Sequence, residues 1–326
     1  MKRQEKSDSS IVPNIRRKSN TLRKKIGKGT TVGKEVVQLR LFDSSTELSQ
    51  ESVDLSDADL SASGKIERFK ELNINRQELP AMTMEEIANR ANLFLAFEQV
   101  RANRGSSGPD RRSVNDVGAV INELVPRLQN ELLSGNYYPG MIRRVWIPKS
   151  GGGQRGLGIP NVIDRIVQQA FLQILNPHYE KIFHDSSHGF RPNRSCHTAI
   201  AEAKGYVEEG FTWVVDIDLE KFFDRVHHQR LQSKLEQKIK DRHVIEVIKR
   251  MMKAKVVLPD GLITEVTEGV PQGGPLSPLL SNIVLDELDQ ELSRRGHHFV
   301  RYADDRLGRR QTTVISTFAA NVLVSA

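Results

Sequence analysis

Two short apolar segments that each end in aspartate most constrain what this chain can fold into. Residues 211–218 are rich in β-branched and aromatic side chains, which is typical of a buried strand, and residues 299–302 form a similar short segment. The first segment ends in Asp218, and the second runs into Asp304 and Asp305, about 85 residues further along the chain. Because crowded carboxylates repel and raise one another's pKa, a site that gathers all three needs bound cations.

Oxygen ligands of this kind suit Mg²⁺, which typically binds one or two carboxylates and completes its shell with water and substrate phosphates. Two such ions, about 3.5–4 Å apart, can stabilise both the attacking and the leaving oxygen of an in-line displacement at phosphorus. Each piece alone has a simpler explanation. A pair such as Asp304-Asp305 is often a solvated turn, and Asp216 or Asp218 could cap the helix that follows.

Helical and strand patterns mix along the chain without regular alternation, which predicts an α+β fold. We predict a helix that starts at Thr83, because Thr83 and Glu86 are spaced as a capping box, and that ends before Gly105. A second helix is predicted over residues 161–175, with Pro177 as its stop, and a third opens at residues 275–278.

Short strands are predicted between these helices. Residues 143–149 form a basic strand that leads into the glycine loop at residues 151–153. Residues 256–258 and 262–264 flank Pro-Asp-Gly as a hairpin. The sequence contains no internal repeat.

Charge is unevenly distributed. Residues 1–40 hold twelve Lys or Arg against three acids, an excess of +9, whereas the whole chain carries +7. Such a basic arm would release counterions from a phosphate backbone, so nucleic acid is its natural partner, although a solvated tail with no particular ligand is equally compatible with charge alone. Residues 43–63 are rich in Ser and Asp and are predicted to be a linker.

Other features exclude competing classes of protein. The sequence has no apolar run near the roughly 20 residues that span a bilayer, and its single cysteine, Cys196, allows no internal disulfide, so we expect a cytoplasmic protein. The glycine loop lacks the Gly-Lys-Ser/Thr ending of a phosphate-binding P-loop. Adjacent histidine pairs are poorly spaced as zinc ligands.

Five ordered motifs closely resemble the group II intron reverse transcriptase family. Residues 218–224 (DLEKFFD) match its first palm motif, residues 269–280 (GVPQGGPLSPLL) its loop-to-helix motif and residues 302–305 (YADD) its catalytic turn. Upstream, residues 144–165 match the fingers, and residues 188–192 (HGFRP) precede the palm. The resemblance covers roughly residues 83–305. It implies a right-hand polymerase fold with fingers and a partial palm.

The resemblance also implies roles for particular residues. It implies an RNA-directed DNA polymerase whose two Mg²⁺ ions are held by Asp218, Asp304, Asp305 and the carbonyl of Leu219. Four residues occupy positions where the family contacts the incoming deoxynucleotide, namely Lys149, Arg155, Phe223 and Gln272. By the same resemblance, Phe223 would select against a 2′-hydroxyl. Outside the family, an ordinary core aromatic is the simpler reading of Phe223. Weaker candidates for gripping RNA are Arg143, Arg144, Arg191 and Arg194.

The expected partners are group II intron RNA, an RNA template with its DNA primer, and deoxynucleotides. We expect a largely disordered basic extension and linker at residues 1–75, fingers at 76–200, a partial palm at 201–305 and an atypical tail at 306–326. A non-catalytic, maturase-like RNA-binding remnant is the alternative. A retron or diversity-generating enzyme is a lesser alternative within the polymerase class.

The sequence departs from the family pattern after Asp305. The family continues with an apolar strand that pairs back, whereas residues 306–311 (RLGRRQ) include three arginines and a glycine. We hypothesise that a frameshift or premature stop replaced the original sequence here. The product would then lack the primer grip and thumb and would synthesise DNA poorly.

Overall fold

The computed structural model describes residues 79–148, 153–211, 214–215, 219, 222–302 and 321–323. Within these residues the chain is a mixture of helices and short strands without regular alternation, which confirms the predicted α+β class. The basic arm at residues 1–40 and the Ser/Asp-rich linker at 43–63 lie outside the described residues. The boundaries of the four predicted segments stay predictions.

Helices dominate the described part of the chain. The α-helices, in chain order, are α1 Met84–Ile87, α2 Arg90–Ala102, α3 Val114–Ala119, α4 Ile121–Leu133, α5 Val162–Glu180, α6 Cys196–Glu208, α7 His228–Lys238, α8 Arg242–Met252 and α9 Ser277–Arg294. A short 3-10 helix spans Phe222–Arg225.

The strands form two small sheets. One sheet has the order β2-β1-β4-β5, with β1 Ile142–Pro148, β2 Gln154–Ile159, β4 Val256–Val257 and β5 Ile263–Thr264. In it β1 pairs antiparallel with β2 and parallel with β4, and β4–β5 is the predicted hairpin. The other sheet has the order β3-β7-β6, with β3 Val214–Val215, β6 His298–Val300 and β7 Asn321–Leu323.

Helix α5 lies at the centre of the main hydrophobic core. Its residues at helical spacing are almost fully buried, and the helix packs against α1, α2, α3 and α9 within that core. The members with at most 2% exposure are Val162, Ile166, Val167, Ala170, Phe171, Ile174, Leu175 and Tyr179. Burial of an amphipathic helix on several sides fixes its position, so α5 provides a rigid support for the hairpin β1–β2 that precedes it.

Two predicted helix boundaries are wrong. The segment from Thr83 is two helices, because Asn89 accepts a hydrogen bond from the backbone N–H of Ala91 and caps α2 separately. Helix α5 also continues through Pro177 to Glu180. Tyr179 and Phe183, beyond the proline, are buried against each other with ring centroids 6.0 Å apart. That burial offsets the roughly 3 kcal/mol cost of an internal proline.

Among the helices of the described residues, not one combines the length and apolar character required to cross a membrane.

Candidate active site

Strands β3 and β6 run in the same direction and end at the same edge of their sheet. Both pair antiparallel with β7, and the register puts Val214 and His298 opposite Leu323. One strand separates them, so their ends lie about 10 Å apart, twice the usual strand spacing. The chain therefore leaves both strands toward a common edge of the sheet.

The predicted metal-binding carboxylates follow these two strands but lie outside the described residues. Asp218 comes three positions after the end of β3, and Asp304 and Asp305 come four and five positions after the end of β6. Leu219 is described and is half-buried. Convergence of the three carboxylates stays a prediction, which the common direction of β3 and β6 supports.

A different segment from the one expected pairs back onto β6. The family resemblance predicted an apolar strand directly after Asp305, and residues 306–311 do not have that character. Asn321–Leu323 instead pairs with β6 and with β3, as the middle strand of the sheet. The residues between Tyr302 and Asn321 lie outside the described part of the chain.

The hairpin β1–β2 contacts the loop that precedes α9. The Arg155 Nε donates a hydrogen bond to Gln272 Oε1 at 2.8 Å, and the backbone N–H of Gly158 donates to the Gln272 carbonyl at 2.6 Å. Two of the four predicted nucleotide contacts are therefore neighbours in space although they are 117 positions apart in the sequence. Lys149, the third, lies outside the described residues.

Glycines allow this close approach. Gly273 has φ +113, and a Cβ atom there would overlap the carbonyl oxygen of Gly158. A Cβ atom on Gly158 would lie 2.9 Å from Ile142 Cγ2 and 3.3 Å from the Gln272 carbonyl oxygen. Larger residues at these positions would push the loop away from the hairpin.

The same loop rests on the segment that carries Phe223. The N–H of Val270 donates to the Phe223 carbonyl at 2.7 Å, and the hydroxyl of Ser277 donates to the Pro271 carbonyl at 2.6 Å. Phe223 is 4% exposed, and its ring meets that of Phe190 edge-on at 6.5 Å. Backbone contacts thus hold Phe223 and the Gln272 loop together. The Phe223 ring itself belongs to the hydrophobic core.

The four arginines proposed to grip RNA have different environments. Arg143 donates to the Ser107 carbonyl at 2.7 Å, and Arg144 donates to the Gly156 carbonyl at 3.2 Å and lies 5.7 Å from the Trp146 ring. The two Nη atoms of Arg194 donate hydrogen bonds to Asp185, one to its backbone carbonyl and one to its Oδ1. These three retain partial exposure.

Arg191 is buried, which argues against a contact with RNA. It is 5% exposed and donates to Glu180 Oε2 at 2.9 Å and to the carbonyls of His184 and Ser187 at 2.6 and 2.8 Å. Burial lowers the pKa of its guanidinium, and the neighbouring Glu180 opposes that shift. The structure gives Arg191 a role in joining the end of α5 to the segment after it.

An unpredicted ionic cluster lies directly before the YADD motif. Arg301 is 1% exposed, and its guanidinium donates to both carboxylate oxygens of Asp289, which is 0% exposed. It also donates to Asn282 Oδ1 at 2.9 Å and to the hydroxyl of Ser187. The Arg301 backbone N–H donates to the Ser186 carbonyl, and the Arg301 carbonyl accepts from the His188 N–H. These contacts fix the position of the chain three residues before Asp304.

A second buried network supports Ser186 and His188. Glu202 on α6 accepts hydrogen bonds from the Ser186 and Tyr206 hydroxyls at 2.6 and 2.9 Å and lies 2.6 Å from His188 Nε2. Burial works to raise the pKa of Glu202, but the hydrogen bonds from His188, Ser186 and Tyr206 outweigh it and lower that pKa. The network links α6 to the segment that holds Arg301.

The sequence contained a signal for Asp289 that its motifs did not reveal. Asn282, Leu285 and Asp289 recur at helical spacing on the buried side of α9. An acid on an apolar stripe requires a buried cation, which Arg301 provides. The described residues, which exclude the three candidate aspartates, contain no cluster of three or more His, Cys, Asp or Glu side chains that could hold a metal ion.

Comparison with known proteins identifies the class. Residues 147–308 match the family model "Reverse transcriptase (RNA-dependent DNA polymerase)", an interval that contains the end of β1, all of β2, Phe223, the Gln272 loop and the YADD motif. The chain therefore carries a domain of the reverse transcriptase family.

The relatives place this domain with the group II intron-encoded proteins. The chain is 36% identical over 216 residues to "Group II intron-encoded protein LtrA" of Lactococcus lactis subsp. cremoris, which covers 66% of this chain and 35% of that protein. It is 47% identical over 172 residues to "Protein YkfC" of Escherichia coli (strain K12), which covers 52% of this chain and 45% of that protein. It is 31% identical over 232 residues to "Putative COX1/OXI3 intron 2 protein" of Saccharomyces cerevisiae, with coverages of 71% and 27%.

The chain therefore belongs to the group II intron reverse transcriptase and maturase family, as the motifs predicted. It spans less than half the length of each of these three relatives.

Proposed function

We propose that the chain is the RNA-directed DNA polymerase of a group II intron and that it adds deoxynucleotides to a primer by two-metal nucleotidyl transfer. The observation that carries the proposal is the shared direction of β3 and β6, which lead into Asp218 and into Asp304-Asp305. Its partners would be intron RNA, an RNA template with a DNA primer, and deoxynucleotides.

The donor set fits magnesium. Asp218, Asp304 and Asp305 offer only oxygen ligands, with the Leu219 carbonyl as a fourth candidate, and hard oxygen donors are those that Mg²⁺ takes. When bound, two such ions supply charge stabilisation for the attacking and leaving oxygens at phosphorus. The protein's own task is to hold the carboxylates at one edge of the sheet. Repulsion among them would make cation binding a condition for their close approach.

The hairpin β1–β2 and the loop before α9 would form the nucleotide pocket. Arg155 offers a planar fork of donors that suits phosphate oxygens, and Lys149 would add a second positive charge. Gln272 Oε1 accepts a hydrogen bond from Arg155 Nε. An incoming triphosphate would compete for that guanidinium, which leaves the Gln272 amide to face the nucleotide. Phe223 would lie below the sugar and discriminate against a 2′-hydroxyl.

Primer extension on an RNA template tests the proposal. Incorporation of a single deoxynucleotide onto the primer, which does not require processive synthesis, should occur in the presence of Mg²⁺ and should be abolished by EDTA and by Asp304→Asn. Asp260→Asn, which changes an exposed aspartate in the β4–β5 turn, is the matched control and should retain the wild-type rate. Failure of the wild-type chain to extend any primer, with the protein folded, would contradict the polymerase proposal.

A non-catalytic RNA-binding role is the second candidate. It is favoured by the sequence after Asp305, where three arginines stand in place of an apolar strand. A pure binder would keep the same RNA affinity in Asp304→Asn and would show no metal-dependent incorporation in either form. Translation of the downstream DNA in its other reading frames would test whether the family pattern was lost by a frameshift.

A further inference from the structure

A basic cavity lies at the end of α8, away from the candidate active site. It has a volume of about 450 Å³, and four of its lining residues are cations, Lys249, Arg250, Lys253 and Lys255, against one acid, Glu246. Ile142, the first residue of β1, hydrogen-bonds the Lys255 carbonyl at 2.8 Å. The hairpin tip that pairs Pro148 with Gln154 is six residues further on, roughly 20 Å along the strand at about 3.3 Å per residue. None of the predicted nucleotide contacts Arg155, Phe223 and Gln272 lines the cavity, so it is distinct from the proposed nucleotide pocket.

Only part of this charge stabilises the fold. Arg250 donates to the carbonyls of Gly135 and Tyr137 at 2.7 and 2.9 Å, and Lys249 and Arg250 lie in the last turn of α8, where cations compensate the helix dipole. Lys253 is the C-cap residue of α8, whereas Lys255 lies beyond the helix end, so the dipole does not account for Lys255. Both lysines line the cavity, on either side of the buried Ala254.

The ion pairs around the cavity are too weak to neutralise it. Lys249 Nζ lies 3.4 Å from Glu246 Oε2, and Lys255 Nζ lies 3.3 Å from Glu265 Oε1, all on exposed or half-exposed side chains. Exposed pairs of this length contribute little. Within the described residues, Lys253 has no ion-pair partner. Phosphate oxygens could therefore displace these carboxylates at low cost.

An aromatic ring is held beside the cations. The Arg250 guanidinium lies 4.3 Å from the centroid of the Tyr138 ring, which is close enough for a cation–π contact. Tyr138 is nevertheless 70% exposed, and Met141 beside it is 39% exposed. One face of the ring is covered by Arg250, so the rest of it is open to solvent in a fixed orientation. Phosphate-binding cations beside an oriented aromatic ring are the combination that holds single-stranded nucleic acid.

We propose that this cavity is a second nucleic-acid site, in which Lys253 and Lys255 contact the phosphates of single-stranded RNA and a base stacks on Tyr138. The site deepens the proposed function, on which it rests for the identity of the ligand. It needs neither metal nor deoxynucleotide, because none of the candidate metal ligands lines it. It would hold an RNA strand on the part of the protein where β1 begins.

The test measures the affinity of the full chain for a short, unstructured, fluorescein-labelled RNA by anisotropy, in EDTA, over a range of salt concentrations. Lys253→Gln combined with Lys255→Gln should weaken binding and lower the slope of log K against log salt by about 1.4, or 0.7 for each lost phosphate contact. The matched control is Lys204→Gln combined with Lys240→Gln, two exposed lysines outside the cavity, which should leave the slope unchanged.

Tyr138 gives a second, independent measurement. Tyr138→Ala should weaken binding about fivefold to a hundredfold with an unchanged salt slope, because stacking involves no counterion release. Tyr138→Phe, which keeps the ring, should bind as the wild type does. Wild-type affinity and slope in the double lysine variant would overturn the proposal.

Two further outcomes separate the causes of failure. If the double lysine variant loses binding to phosphatidylserine vesicles and keeps RNA binding, the cavity serves a membrane surface and the RNA assignment is wrong. Because the assay contains no metal or deoxynucleotide, an inactive polymerase that still loses RNA affinity in the cavity variants would contradict only the catalytic proposal. Thermal denaturation should show that all these variants fold as the wild type does.

Discussion

The segment before the YADD motif and the hairpin β1–β2 are held in place by different kinds of interaction. Arg301 and Asp289 are both almost fully buried and form a bidentate ion pair with further hydrogen bonds to Asn282 and Ser187. The hairpin contacts the loop before α9 through the half-buried Arg155–Gln272 hydrogen bond and the backbone bond of Gly158. The difference indicates that the segment before the YADD motif is rigidly anchored, whereas the hairpin β1–β2 can separate from the Gln272 loop at lower cost.

The largest expected effect comes from breaking the buried ion pair. Arg301→Met should reduce the free energy of unfolding by about 3–5 kcal/mol, because it leaves the Asp289 charge buried and unpaired. Chemical denaturation measures this loss. Combining Arg301→Met with Asp289→Leu should recover part of it, since no uncompensated charge remains.

Arg127→Met provides the control for this prediction. Arg127 pairs with Glu131 on the exposed surface of α4 at 2.9 Å, so its loss should leave the unfolding midpoint nearly unchanged. Equal stability of Arg301→Met and the wild type would mean that the two regions do not differ as proposed.

An intermediate effect is expected where the hairpin meets the loop. Gly273→Ala should cost about 1–3 kcal/mol from overpacking against the Gly158 carbonyl, in addition to the strain of an alanine at φ +113. It should also lower primer extension by displacing the loop that carries Gln272. Denaturation and extension rates on the same preparation measure both effects.

Gly261→Ala separates strain from overlap. Gly261 has φ +87, and no heavy atom lies within 4 Å of the position that an alanine methyl group would occupy, so alanine there adds strain alone. If Gly273→Ala and Gly261→Ala lose the same stability and both keep the wild-type rate of primer extension, the close approach of Gly273 to Gly158 does not contribute to activity.

The smallest expected effect is a dependence of stability on pH at Glu202. Its pKa is lowered from the ordinary value of 4.5, so its contribution is fully present above that value and is lost as the pH falls through the lower folded-state pKa. Glu202→Gln should therefore be less stable than the wild type by about 1 kcal/mol near neutral pH. The difference should shrink below pH 4.5.

Urea denaturation of both forms at several pH values measures the prediction. Glu268→Gln, which removes an exposed carboxylate outside the network, is the control and should show no such window. A constant difference between Glu202→Gln and the wild type at all pH values would show that the carboxylate charge does not support the Ser186–His188 segment.

The sequence by itself determined the class of the protein and most of its elements. The α+β class, the hairpin β4–β5, helix α9 and the strand β6 all follow from periodicity and turn residues, because these signals are local. The motifs determined the family, and they singled out Arg155, Gln272 and Phe223 before their proximity was known.

Only the tertiary structure decided where the chain overrides its local preferences. Helix α5 passes through Pro177, Arg191 is buried against Glu180, and Asp289 pairs with Arg301 in the core. Each outcome depends on contacts between different segments of the chain, whose burial outweighs a helix-breaking proline or the desolvation of a charge. Helical spacing marked Asp289 as a buried acid but did not identify its partner, so the anchor before the YADD motif became visible only in the folded chain.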